Sequence, residues 1–114
     1  MLTIDALRDY GADVKQGLTR CMNNEAFYLR LVGMMSADTH TQQLKSAVAA
    51  RDLTAAFEAA HALKGVLSNL ALIPALAPVS EMTEHLRARK DMDYAPLMNE
   101  VETQMDRLMA LING

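Results

Sequence analysis

At 114 residues the chain has the common size of one domain, so a single domain over residues 1–114 is expected, burying about two-thirds of its unfolded surface without metals or disulfides. The 11 Lys and Arg against 14 Asp and Glu leave a net charge of -3, which argues against a nucleic-acid binder, and the single cysteine, Cys21, excludes an internal disulfide framework and fits a reducing compartment. Uncharged stretches such as Val66 to Ser80 are too short for a membrane span, and Asp5, Arg8 and Asp9 interrupt any secretory apolar region, so a cytoplasmic, unanchored protein is expected.

Few aromatic and β-branched residues beside abundant Ala, Leu and Met favour helix over strand. Thr3 caps a short helix from Ile4 to about Asp9 that stops at Gly11, and Asp13 to about Met22 reads as another, turning Val14, Leu18 and Cys21 inward. Asn24 caps a long helix to about Ala50 with Phe27, Leu31, Met34, Ala37, Thr41, Leu44 and Val48 on one stripe, and the polar patch from Ser36 to Thr41 is its place to break. Asp52 caps the next helix, whose stripe is Leu53, Ala56, Ala60, Leu63, Leu67 and Leu70, ending near Leu72 ahead of Pro74. A helix from about Ala75 to Lys90 follows, with Pro78 in its first turn, Leu76, Val79, Met82 and Leu86 inward and Arg87, Arg89 and Lys90 at its C-terminal end. Asp93 opens the last helix, to about Ile112, which buries Leu97, Val101, Met105, Leu108 and Ile112. The sum is all-α: an antiparallel up-down four-helix bundle with one or two short N-terminal helices packed at one end.

On the Asp52–Leu72 helix the apolar stripe points roughly 140° away from His61, which places that histidine toward solvent. Thr54, Glu58, Gly65 and Ser68 share its face, Lys64 lies to one side, and Phe57 falls between this face and the core. A mid-helix glycine costs ~1 kcal/mol against alanine and is normally excused by a neighbouring helix pressing on it. Gly65 lies opposite the stripe, where no neighbour of the same domain is expected, so either it is a tolerated surface glycine or something from outside approaches His61 closely.

The run Ala60-His61-Ala62-Leu63-Lys64-Gly65, followed by Ser68-Asn69-Leu70, resembles the active helix of the histidine-containing phosphotransfer (HPt) domains of phosphorelays, in which His, any residue, Leu, Lys and Gly precede small or polar residues and a Leu-Gly pair. Gly17-Leu18-Thr19-Arg20, Asn24-Glu25 and Phe27-Tyr28-Leu29 resemble the upstream stretch of that family, and Leu44 to Asp52 its run into the active helix, so the likeness extends from about Ile4 to Ile112. Val66 departs from the small or hydroxyl residue common after the glycine, and Ala71 from the usual glycine, which bears on how the helix ends.

The resemblance implies that His61 accepts a phosphoryl group from a receiver-domain aspartate and passes it on. A neutral imidazole offers a lone pair near neutral pH without an activating base, and the resemblance points to Nε2 as the attacking atom. Lys64 would stabilise the phosphoryl oxygens, while Glu58, Gly65 and Ser68 would belong to the docking face. Its implied partners are response-regulator receiver domains and a hybrid sensor histidine kinase. No cofactor or metal of the chain's own is expected, Mg²⁺ belonging to the partner receiver. The chain is expected to be a free-standing, monomeric phosphoryl carrier and not an enzyme with its own ATP site.

Other readings compete. Glu58 and His61 could share a metal, but such bundle sites are built inward. The nine methionines could form a soft-metal surface, yet Met34, Met82 and Met105 fall on core stripes, where gap-filling is the simpler role. A histidine kinase needs a glycine-rich phosphate loop, and the five glycines are scattered. His40 and His85 read as surface or boundary residues. The standing alternative is a helical module that docks receiver or kinase domains without taking phosphate.

Overall fold

The computed structural model describes residues 1–114 and contains helices only. They are α1 (Ile4–Tyr10), α2 (Val14–Arg20), α3 (Glu25–Gly33), a 3₁₀ turn (Met34–Ala37), α4 (His40–Ala49), α5 (Leu53–Asn69), α6 (Ile73–Arg87) and α7 (Ala95–Asn113). Four of the starts are fixed by capping side chains: Thr3, Asn24 and Asp52, as expected, and Asp13, which caps α2 from outside and does not open it, each accept a hydrogen bond from the backbone N–H three residues on. α4 packs on α5, α5 on α6, α6 on α7, and α7 returns to α4, closing the bundle. Short links such as Ala50–Asp52 and Leu70–Leu72 force consecutive helices to run antiparallel.

The long helix expected from Asn24 to Ala50 is broken. Ser36 Oγ donates to the Gly33 carbonyl, tightening the chain into the 3₁₀ turn, and the Asp38 carboxylate then accepts from both the backbone N–H and Nδ1 of His40, so a new helix starts there. The N-terminal arm therefore holds α1, α2 and α3. The buried stripe of this region is also one residue later than the spacing implies. Tyr28, Val32 and Met35 are buried, whereas Phe27 is 40% and Met34 61% exposed. The Tyr28 ring sets this register by lying over Gly17, where a Cβ would come within 2.6 Å of it, and its hydroxyl donates to the Leu70 carbonyl at 2.8 Å. Met82 and Met105 are buried core residues, as their stripes imply.

α6 begins earlier than expected, at Ile73, which puts Pro74 in its first turn and Pro78 inside the helix. Asp93 precedes α7 without entering it, its carboxylate accepting from Ala95 N. α5 stops at Asn69 through a left-handed Ala71 (φ 55°), with Ala71 N bonded to Ser68 O and Leu72 N to Leu67 O. Alanine thus adopts a left-handed conformation at the position where the family pattern has glycine, and the helix end forms despite that departure. α4 and α6 end in the same hydrogen-bond pattern, with Arg51 and Arg89 at the left-handed position.

α1 is tied to the bundle by Tyr10, whose hydroxyl donates to Gln104 O and whose ring lies under the Arg107 guanidinium. α2 reaches α5 through Arg20, which donates to the Ser68 carbonyl.

Candidate functional site

Helix α5 buries Ala56, Ala59, Ala60, Leu63 and Leu67, and the small side chains among them let its neighbours approach closely. Burial of that side turns His61 outward, at the middle of the 17-residue helix. The hydrogen bonds and ion pairs of the chain's histidines belong to His40 and His85, leaving both His61 ring nitrogens without a protein partner.

The α6 side of His61 is crowded with charge and aromatic surface. Phe57, one turn earlier, stacks on the imidazole with centroids 5.6 Å apart and planes 16° from parallel. The Arg87 guanidinium carbon lies over the Phe57 ring, 5.1 Å from its centroid. Glu84 receives two cations, with Lys64 Nζ 3.6 Å from one carboxylate oxygen and Arg87 Nε 3.4 Å from the other.

The other flanks are open. A Cβ at Gly65 would meet nothing within 4 Å, so no neighbour within the chain demands the glycine. Beyond it Val66 and Asn69 border a shallow groove with Leu31 and Met34, which accounts for Val66 as a packing residue at the edge of the stripe. Glu58 points to the α4 side, where it lines a cleft with His40 and Gln43, apart from the Phe57 and Lys64 flank. Ser68 is half-buried beside Arg20.

The structure thus brings together His61, Lys64 and open space at Gly65 on one face and sets Glu58 and Ser68 at its rim. Glu84 and Arg87 escaped the sequence reading, in which Arg87 serves only to complement a helix C-terminus. No spacing rule pairs residues on two different helices, so this contact needed the α5–α6 packing to become visible. The chain's His, Cys, Asp and Glu side chains form no group of three able to hold a metal ion.

Compared with known families, residues 33–111 match the family model of the Hpt domain. The chain belongs to the Hpt domain family. Hpt domains are phosphocarrier modules of two-component signalling that interact with receiver and kinase domains and carry no ATP site of their own. The match takes in α4 to α6 and most of α7, including the whole stretch around His61, and starts at Gly33, so the likeness of Gly17–Leu29 lies outside it. No curated protein and no solved structure gives a significant match. No helix of this Hpt chain is long and apolar enough to cross a membrane.

Proposed function

We propose that this chain is a phosphorelay intermediate in which His61 accepts a phosphoryl group from the aspartyl phosphate of a response-regulator receiver, supplied through a hybrid sensor kinase, and hands it to another receiver. An exposed imidazole with both nitrogens free, flanked by a lysine and by the gap at Gly65, carries the reading. In the transfer the Nε2 lone pair attacks phosphorus as the bond between phosphorus and the aspartate oxygen breaks. The carboxylate leaves with the electron pair, and the proton on Nδ1 passes to solvent.

Lys64 leaves Glu84 to neutralise the phosphoryl oxygens, which carry more charge than a single carboxylate. Gly65 and Ser68 give the receiver its approach, and Glu58 contributes to the rim on the α4 side. Mg²⁺ enters with the receiver, at its aspartate. Residues 1–114 act as one unit, because Tyr10, Cys21 and Tyr28 of the N-terminal arm are buried in the core that holds α5.

The test is incubation with a phosphorylated receiver and Mg²⁺, wild type beside His61→Gln. Acid-labile, base-stable label on wild type alone is the expected result. Binding without label, across several receivers, would favour a module that docks and takes no phosphate.

A further inference from the structure

We propose that Phe57 is a positioning residue that holds the His61 imidazole in one plane for transfer; this rests on the reading of His61 as the phosphoacceptor. The torsion that turns an imidazole about its last side-chain bond is broad, so a solvent-exposed ring with no hydrogen bond samples many orientations. In this chain the ring lies nearly parallel to Phe57, and rotating it out of that plane forfeits the face contact.

Phe57 is itself held. Its inner part is half-buried against the core, and the Arg87 guanidinium lies over its face while Arg87 Nε is anchored on Glu84. Glu84, Arg87, Phe57 and His61 thus form a chain of contacts running from α6 to the reacting ring. Pre-orientation of this kind removes part of the entropy a nucleophile loses on reaching the geometry for attack. A residue that only fills space would leave the chemistry indifferent to its aromatic character.

The experiment uses the full chain as wild type, Phe57→Leu, Phe57→Tyr and Arg87→Gln. Carbon–proton NMR reads the His61 ring protons, and labelling rates are measured well below the melting temperature with two donors. One donor is a phosphorylated receiver with Mg²⁺; the other is phosphoramidate, a small molecule that gives up its phosphoryl group with ammonia as leaving group. Phe57→Leu should abolish the ring-current shift at His61 and slow labelling by both donors about three- to tenfold, with Phe57→Tyr restoring both. Arg87→Gln, an exposed change, should give a smaller loss with both donors, and it decides the matter should Phe57→Leu fail to fold.

Equal rates with both donors overturn the positioning role. A loss confined to the receiver donor overturns it as well, making Phe57 a docking residue. Wild-type protein that takes label from neither donor overturns the phosphoacceptor reading itself, and the positioning role with it.

Discussion

The Lys64 ammonium lies 3.6 Å from the Glu84 carboxylate, across the α5–α6 interface. With side-chain exposures of 35% and 58% the pair is screened, so it holds lysine in place without binding it tightly. A carboxylate so placed also repels an incoming phosphoryl group. The amide oxygen of a glutamine still accepts from Arg87 Nε, so Glu84→Gln removes the charge while keeping Arg87 over Phe57, and it is expected to raise the rate of labelling by a phosphorylated receiver about two- to threefold at low ionic strength, an advantage that salt removes. A slower variant would show that the Glu84 charge aids transfer.

Open space over Gly65 separates stability from function. Gly65→Ala should raise stability by up to about 1 kcal/mol in denaturant unfolding, since helix propensity improves and nothing is displaced. Gly65→Leu should stay folded yet slow transfer from a receiver while leaving labelling by phosphoramidate unchanged. Equal receiver rates for Gly65→Leu and wild type would remove the glycine from the docking face.

Gly17 presents the opposite case. Its missing Cβ would sit 2.6 Å from two carbons of the Tyr28 ring, a ring buried completely and tethered to Leu70. Gly17→Ala is therefore predicted to destabilise by roughly 1–3 kcal/mol despite the better helix former, because the ring cannot yield without losing its hydrogen bond. Thermal melts of the two proteins side by side decide it.

Arg51 occupies a left-handed conformation (φ 56°) just past α4, where a Cβ is disfavoured. Its ion pair with Asp91 is 3.8 Å long and almost fully solvated, so little is lost with the side chain. Arg51→Gly should raise stability by about 0.5–1 kcal/mol, the relief of strain outweighing the greater freedom glycine adds to the unfolded chain.

Burial pushes the Tyr10 and Tyr28 hydroxyls up to about 12, with Arg107 offsetting part of the rise at Tyr10, and it raises Tyr94 as well. The folded state therefore holds phenolic protons that the unfolded chain releases near pH 10. Their contribution is complete below about 10 and is lost as pH climbs from 10 toward 12, so the melting temperature should fall across that window. Ultraviolet titration of the folded protein should show Tyr10 and Tyr28 ionising late, coincident with unfolding.

Much of this was legible from residues alone, where local chemistry decides. The caps at Thr3, Asn24 and Asp52, the stripe of α5 and the outward turn of His61 follow from spacing and side-chain type. The failures fall where distant segments decide. Periodicity favours Phe27 and Met34 over Tyr28 and Met35 until Gly17 and the Leu70 carbonyl, far away in sequence, select the tyrosine. Glu84 and Arg87 were unreadable for the same reason, since only the packing of α6 on α5 brings them to Phe57 and Lys64.

His61 sits at the midpoint of α5, with as much helix before it as after. The partial charges of a helix are concentrated in its first and last turns, so a dianionic group attached at the centre meets neither an attractive nor a repulsive end. Nor is any buried contact of the ring disturbed by loading an exposed nitrogen. The empty and the charged carrier should then share one backbone, and a signal encoded as phosphate would travel through this molecule without altering its shape, to be decoded only where it is set down.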